Sequence, residues 1–276
     1  MNIASLADNI VQGKEGIYFS KNSSEISYPE KGNDNCFQIE DNSFWFNHRN
    51  RAIIELVKKF TANKTFFDIG GGNGFVAKGL EQNGIETILV EPGLTGALNA
   101  QRRGVTNIIC STFEDIELKK DVIESAGLFD VVEHIEKDVE FLANIGSYFQ
   151  KDGCIFITVP AYNTLWSKRD DEAGHYRRYT LERMSETLKK AGFEVEYQTY
   201  IFSILPFPAF LFRTIPSKLG MLKDYDANER GKDHTLKKKG ALESIMSNVW
   251  NWELKQIKKL NSISMGGSCL VVAKKM

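Results

Sequence analysis

The feature that most constrains this chain is a glycine-rich turn between an apolar run and an amphipathic one. The run Thr65–Ile69 has the composition of a buried strand, and Gly70, Gly72 and Gly74 separate it from a helical pattern at Phe75–Asn83. Glycines at a strand-to-helix turn let the backbone bend sharply and approach a ligand without Cβ clashes. The segment therefore predicts a ligand-binding turn in an α/β fold.

Strand and helix patterns alternate on both sides of this turn, and Thr180 and Gly192 are of the residue types that begin and end a later helix. Seven strands are predicted, at 65–69, 87–90, 107–110, 122–128, 154–159, 193–200 and 268–274. Helices are predicted at 46–60, 75–83, 94–103, 138–149 and 181–191. This alternation predicts a doubly wound, mostly parallel, Rossmann-like sheet. The last strand arrives after a long excursion, so we expect it to pair antiparallel beside the strand at 193–200.

The chain of 276 residues is predicted to hold one main domain at 44–276, preceded by a polar N-terminal extension at 1–43. The excursion at about 202–265 is predicted to be a helical cap or lid inserted into that domain. Its apolar stretch at 200–215 contains Pro206, Pro208 and Arg213. A bilayer span needs about 20 apolar residues, so we predict no transmembrane segment, while a peripheral membrane contact stays compatible with the sequence.

Charge and cysteine content exclude several classes of protein. Lys and Arg number 35 and Asp and Glu 36, which gives a net charge of -1 and no whole-chain basic field for nucleic acid. Cys36, Cys110, Cys154 and Cys269 are widely separated and show no paired ligand spacing. We therefore expect neither a disulfide framework nor a zinc site, but reduced thiols in a cytoplasmic protein.

Two cofactor classes are compatible with the glycine turn. Glu91 ends the next strand, 17 residues after Gly74, where an acid can accept hydrogen bonds from a ribose diol. The spacing Gly72-x-Gly74-x-x-Ala77 can be read as a dinucleotide fingerprint, so an NAD-dependent oxidoreductase stays an alternative. Asp68 weighs against it, because a carboxylate there would oppose a pyrophosphate but could interact near an ammonium group.

The ordered set of motifs resembles the class I S-adenosylmethionine-dependent methyltransferases over about residues 44–200 and the final strand. Asp68 and the three alternating glycines match the family's glycine motif, and Glu91 matches its second-strand acid. FDVVEH at Phe129–His134 and CIFITVPAY at Cys154–Tyr162 resemble the segments of the fourth and fifth strands. LWSKRDDEAGHYRRYT at Leu165–Thr180 is similar to a bacterial subgroup associated with methylation of glycans, lipid-linked molecules and secondary metabolites.

The resemblance implies S-adenosylmethionine as cofactor and S-adenosylhomocysteine as product. By position, the glycine motif would surround the methionine and ribose portions, Glu91 would hold the ribose hydroxyls, and Arg49 would bind the cofactor carboxylate. The adenine-side loop has Ser111-Thr112 where many relatives have an acid. The full predicted cofactor set is Arg49, Asp68, Gly70, Gly72, Asn73, Gly74, Glu91, Thr112, Phe113, Phe129, Asp130 and His134.

The acceptor side is predicted to lie in the loop after the fifth strand. His175 is the candidate general base, since an imidazole with an ordinary pKa of about 6.5 accepts protons near neutral pH. Asp171 would orient its ring and Arg178 would hold an anionic or sugar-like acceptor; alternatively, these residues shape the loop. Consecutive acids in a loop are usually solvated, so we predict no metal at Asp170–Glu172.

The predicted function is methyl transfer from S-adenosylmethionine, directed to an oxygen of a small-molecule or glycan- or lipid-linked acceptor. The alternatives are an NAD-dependent oxidoreductase and a non-catalytic protein that binds the cofactor on the same fold.

Overall fold

One nine-stranded sheet forms the centre of the fold in the part of the chain that a computed structural model describes, residues 3–13, 15–22, 31–61, 64–220 and 241–276. In chain order its strands are β1 Ile10–Gln12, β2 Tyr18–Ser20, β3 Phe66–Ile69, β4 Thr87–Glu91, β5 Asn107–Cys110, β6 Ile123–Phe129, β7 Phe149–Pro160, β8 Phe193–Ile201 and β9 Ser268–Lys275. Their spatial order is β1-β2-β5-β4-β3-β6-β7-β9-β8. The pairs from β2–β5 to β6–β7 are parallel.

The predicted fold class, a doubly wound and mostly parallel sheet with an antiparallel last strand, is confirmed. Strand β9 lies between β7 and β8 and is antiparallel to both. The predicted count of seven strands was wrong, because β1 and β2 form a hairpin that extends the sheet beyond β5. These two strands have only three residues each, too few to show a clear period-2 pattern in the sequence.

Ten α-helical segments accompany the strands within the described residues. They are α1 Lys31–Glu40, α2 Phe44–Phe60, α3 Phe75–Gln82, α4 Leu94–Arg102, α5 Asp138–Gly146, α6 Lys168–Ala173, α7 Leu181–Lys190, α8 Pro206–Ala209, α9 Ile215–Lys218 and α10 Ala241–Lys258. A π-helical turn at Phe210–Thr214 joins α8 to α9. Thr180 caps α7 as predicted, its side chain accepting a hydrogen bond from the backbone N–H of Arg183.

Successive side chains of β3 point to opposite faces of the sheet, and they are buried on both faces. Phe66 packs in one apolar cluster with Leu56 and Val57 of α2, whereas Phe67 packs in another with Leu142 of α5, and all five side chains are fully buried. Helices therefore cover both faces, and ligands of such a sheet bind beyond the carboxyl ends of its parallel strands.

Several predicted element boundaries shift in the structure, and helix α6 was missed. The helix predicted at 138–149 ends at Gly146, because Phe149 already begins β7. The loop after β7 contains α6, whose capping box at Ser167 was not predicted. Part of the predicted cap, residues 221–240, lies outside the described residues, so its role stays a prediction. No described helix combines the length and apolar character needed to cross a membrane.

Candidate active site

A cavity of about 680 Å³ opens beyond the carboxyl ends of the parallel strands. Its walls are the loops that follow β3 to β7, and α1 and α2 contribute further side chains. This volume lies within the range of about 300–1,000 Å³ that is usual for small-molecule sites. The position is the one where doubly wound sheets bind their ligands.

The glycine loop after β3, residues 70–74, borders this cavity, but its glycines are required for different reasons. Gly72 lines the cavity with φ of +54°, and a Cβ there would meet no atom within 4 Å. Gly74 begins α3 with φ of +72°, and a Cβ there would lie 2.8 Å from side-chain atoms of Ala100 and Val105. Gly72 therefore leaves space for a ligand, whereas Gly74 permits close packing of α3 on α4 and does not line the cavity.

Two carboxylates, those of Asp68 and Glu91, hold this loop and the start of α3 through hydrogen bonds from backbone N–H groups. Glu91 at the end of β4 accepts hydrogen bonds at 2.9 Å from the backbone N–H groups of Gly72 and Gly93. Asp68 accepts one from the N–H of Ala77 at 3.1 Å through Oδ2, while its buried Oδ1 has no hydrogen-bond partner among the described residues. Burial raises the pKa of Asp68 to about 7, although the nearby Arg49 opposes the shift.

These features fit the cofactor that the family resemblance implies. Asp68 Oδ1 is a buried acceptor in the cavity wall that lacks a donor, such as a ligand ammonium group could supply. Glu91 presents a carboxylate whose oxygens can accept from ribose hydroxyls as well as from the loop. The open space at Gly72 allows the backbone and a ligand to come close. The cavity thus offers complementary groups for the charged and ribose portions of S-adenosylmethionine.

Arg49 on α2 lies over the ring of Trp45, with its guanidinium carbon 4.5 Å from the ring centroid. It pairs with Asp130, whose other carboxylate oxygen accepts a hydrogen bond from Thr158 Oγ1 at 3.2 Å. Burial lowers the pKa of Arg49 to about 10. Both predicted residues, Arg49 and Asp130, line the cavity, and the guanidinium is engaged by a protein carboxylate.

The adenine-side prediction falls on the loop after β5. Thr112 and Phe113 line the cavity together with Ser111. The hydroxyl of Thr112 donates to Asp115 Oδ2 at 2.7 Å, and Phe113 is buried against the ring of Tyr148. The cavity is therefore lined here by four residues of the loop, Ser111–Glu114, while the neighbouring Asp115 fixes the turn through Thr112.

One wall of the cavity comes from the N-terminal extension, which sequence reasoning missed. Glu40 at the end of α1 accepts a hydrogen bond from Asn73 Nδ2 at 3.1 Å and forms a 2.7 Å ion pair with Arg103. Asn73, one of the predicted cofactor residues, also accepts from Asn99 Nδ2 at 3.1 Å. Its side chain thus holds α1 and α4 together beside the glycine loop.

Glu133 and His134, which follow β6, meet His175 from the loop after β7 in the same cavity. The rings of His134 and His175 are perpendicular, with centroids 4.7 Å apart. Glu133 is 1% exposed, its Oε2 has no hydrogen-bond partner in the described chain, and burial raises its pKa to about 8. Burial, and next the charge of His175, lower the pKa of His134 to about 4.

The partner of His175 is Asp170, and not Asp171 as expected from the sequence. His175 Nδ1 lies 2.9 Å from Asp170 Oδ1, and Arg178 Nε donates to the same oxygen at 2.7 Å. Burial disfavours the charge of Asp170, but the hydrogen bonds from His175 and Arg178 hold its pKa well below its usual range. The capping box of α6 explains the difference: it turns Asp170 inward to Ser167, whereas Asp171 is exposed and accepts from Trp166 Nε1.

Most of the predicted site residues therefore lie around one cavity. Three do not line it: Gly74, Asp171 and Arg178. Arg178 donates hydrogen bonds to Asp170 and to the carbonyl of Ala161. It therefore stabilises the loop, which is the alternative that the sequence left open. Glu133 lies within FDVVEH but was not predicted as a site residue. Its position directly beside the predicted cofactor residue His134, in the turn after β6, was the only sequence signal for it.

Comparisons with known proteins agree with this geometry. A family model described as a methyltransferase domain matches residues 45–198. No curated protein matches the chain significantly.

Solved structures with the same fold include a Haloferax volcanii methyltransferase in complex with the Trm112 methyltransferase activator (15% identity, TM-score 0.58, 91% of this chain and 99% of that one). A Thermotoga maritima S-adenosylmethionine-dependent methyltransferase aligns with 17% identity and a TM-score of 0.54, over 90% of this chain and 100% of that chain. A Haemonchus contortus phosphoethanolamine N-methyltransferase in complex with S-adenosylhomocysteine has 18% identity and a TM-score of 0.56, over 91% of this chain and 58% of that chain. At these identities the likeness concerns the fold alone.

The family model covers more than half of the chain, including the glycine loop, Glu91 and the loop that carries His175. The glycine spacing left two cofactor classes open, and this match supports S-adenosylmethionine and not NAD. The chain belongs to the methyltransferase domain family of class I enzymes, and its cofactor is S-adenosylmethionine.

Proposed function

We propose that this chain transfers the methyl group of S-adenosylmethionine to a hydroxyl oxygen of a small-molecule or glycan- or lipid-linked acceptor. The observation that carries the proposal is the meeting of Glu133, His134 and His175 in the cavity that the glycine loop also borders. Two imidazoles and a carboxylate can activate a hydroxyl, which must lose its proton as it is methylated.

In this proposal one end of the cavity binds the cofactor and the other end binds the acceptor. When bound, the cofactor supplies an electrophilic methyl group on its sulfonium sulfur. Asp68, Gly72 and Glu91 hold its charged and ribose portions, so that the methyl group faces the acceptor. Holding the acceptor oxygen in line with that group contributes several kcal/mol of the rate enhancement. The cluster at His175 receives the acceptor hydroxyl, and Asp170 orients the ring of His175 from behind.

The element that follows β8 supports an acceptor with an apolar portion. Residues 206–218 pack on the acceptor-side loop: Thr214 Oγ1 donates to the carbonyl of Leu165 at 3.1 Å, and Ser217 Oγ accepts from the N–H of Lys168 at 2.8 Å. Phe207 and Phe212 on this element are 70% and 77% exposed. None of these residues lines the cavity, so we infer that their exposed apolar side chains contact the lipid or other apolar part of the acceptor outside it.

A methyl-transfer assay with isotopically labelled cofactor tests the proposal. Sugars, lipid-linked sugars and phenols serve as hydroxyl acceptors, and matched amines serve as nitrogen acceptors, with product identified by mass. We expect transfer to a hydroxyl class, and at least about a 10²-fold loss of turnover in His175→Ala with cofactor affinity kept. Tyr176→Ala is the matched control, because the adjacent side chain is 54% exposed and does not line the cavity.

Two results would count against this function. Transfer only to amines would replace the oxygen acceptor by a nitrogen one. Cofactor binding without turnover on any acceptor would favour a non-catalytic binding protein on the same fold. A cytoplasmic location also stays a prediction, based on the four separated cysteines.

A further inference from the structure

The cluster of Glu133, His134 and His175 has the composition and spacing of a metal site. Each residue offers one ligand atom, a carboxylate oxygen or an imidazole nitrogen, and the three atoms lie within 4.8 Å of one another. A first-row divalent cation at about 2.1 Å from each ligand brings such atoms to about 3–3.5 Å apart. Side-chain movements that shift the ligand atoms by about 1 Å would therefore bring all three within bonding distance of one ion.

The carboxylate of Glu133 gives independent support for a ligand at this point. Glu133 is 1% exposed, and its Oε2 has no hydrogen-bond partner among the residues that the structure describes. A buried carboxylate oxygen normally has a donor or a cation beside it, because burying it alone is costly. The two imidazoles of the cluster lie beside it, with ligand atoms within 4.8 Å, and imidazoles bind metals readily.

Both histidine rings are also held from outside the cluster, as metal-binding histidines usually are. The Nδ1 atom of His175 is 2.9 Å from Asp170 Oδ1. Because Nδ1 is engaged there, Nε2 is the ring nitrogen left to bind a metal. His134 hydrogen-bonds the backbone at Ala173 and Gly174. A carboxylate or carbonyl on the outer nitrogen fixes the tautomer and raises the basicity of the nitrogen that binds the metal.

We propose that Glu133, His134 and His175 bind a divalent transition-metal cation of the zinc class at the acceptor end of the cavity. Three protein ligands leave at least one coordination position open, which is the arrangement of catalytic rather than structural zinc sites. The open position faces the cavity that all three residues line. This proposal departs from the sequence prediction of no metal, which considered the four cysteines and the acids at Asp170–Glu172 but not Glu133, His134 and His175.

The cation would refine the proposed function, on which this part of the inference rests. An acceptor hydroxyl at the open position loses its proton to solvent more easily, because the cation lowers its pKa. The oxygen then forms a bond to the methyl carbon, and the electron pair of the broken carbon–sulfur bond returns to sulfur. His175 acts here as a ligand, and Asp170 as its positioning residue.

Metal binding can be measured without any acceptor. The full-length chain is stripped with EDTA, the chelator is removed, and ZnCl₂ is titrated by calorimetry while CoCl₂ is followed by its visible ligand-field absorption. We expect one zinc per chain, and loss of this binding in Glu133→Gln and His134→Ala. Asp170→Asn should weaken it by about 10–100-fold, as changes in outer partners usually do. Glu136→Gln, the same change three residues later on an exposed side chain that does not line the cavity, should bind as the wild type does.

The outcomes separate this inference from the proposed function. Zinc binding that is unchanged in Glu133→Gln, with circular dichroism showing a folded variant, would overturn the site, as would a wild type that takes up no zinc. Hydroxyl methylation that persists at the wild-type rate in a zinc-free chain would overturn the role of the cation in activating the acceptor and leave the function standing, with His175 as a free base. Zinc bound through the three residues in a chain that methylates only amines would refute the proposed function and keep the site.

Discussion

Replacement of Gly72 by alanine tests whether the glycine loop borders the bound cofactor, and the chain provides a matched control. Gly72 and Gly84 both have positive φ, +54° and +79°, and a Cβ at either position would meet no atom within 4 Å. Gly72 lines the cavity, whereas Gly84 lies in the turn between α3 and β4 and does not. Gly72→Ala and Gly84→Ala therefore share one backbone effect and differ in their distance from the ligand.

The expected magnitudes follow from that difference. An alanine in the left-handed region costs about 1–2 kcal/mol of folding free energy, so both variants should lose a few degrees of melting temperature. Only at Gly72 does the new methyl group enter the space of the ligand. Overpacking of this size costs about 1–3 kcal/mol, which corresponds to about a 5–150-fold increase in the Kd for S-adenosylmethionine.

Thermal unfolding and calorimetric titration with S-adenosylmethionine measure the two effects separately. We expect similar melting temperatures for the two variants, wild-type affinity in Gly84→Ala and the weakened affinity in Gly72→Ala. Equal affinity in all three proteins would refute the reasoning, because the loop would then not approach the cofactor. Equal loss in both variants would assign the effect to backbone strain alone.

Three further predictions concern buried carboxylates. Glu91→Ala removes the acceptor of two backbone hydrogen bonds, so urea denaturation should show a loss of about 3 kcal/mol and calorimetry a weaker cofactor affinity; unchanged affinity would exclude a ribose contact. Because burial raises the pKa of Asp68 to about 7, the folded state keeps a proton that the unfolded state releases, and stability falls as pH rises from about 4 to 7, by up to about 1.4 kcal/mol per pH unit. Asp68→Asn should flatten this slope in urea denaturation, and an unchanged slope would contradict the shift. Glu253 accepts from His48 and from the backbone N–H groups of Phe202 and Ser203, so Glu253→Ala should cost about 3–5 kcal/mol without changing cofactor affinity in the folded fraction; a cost below 1 kcal/mol would contradict its role.

The parts of the fold that are encoded locally could be predicted from the sequence. Strand β5 was predicted at Asn107–Cys110 and lies there. Thr180 was identified as a helix cap, since capping depends only on its immediate neighbours. The strands β1 and β2 were missed because their three-residue lengths carry no periodic signal, and their pairing with β5 is a long-range contact.

The site was predictable where one motif supplies it, and less so where separate segments meet. Gly72 and Glu91 belong to one strand–helix–strand segment, and both line the cavity. The choice between Asp170 and Asp171 depends on which side of a short helix faces inward, which loop spacing does not specify. Glu40 reaches the glycine loop from a polar extension, and its contact with Asn73 spans 33 residues of sequence.

Calorimetric titration of the wild-type chain with S-adenosylmethionine, with NADH titrated in parallel, tests the central claim most directly. The account predicts binding of one S-adenosylmethionine per chain, and no heat from NADH beyond that of dilution. Tight binding of NADH together with no binding of S-adenosylmethionine would contradict it.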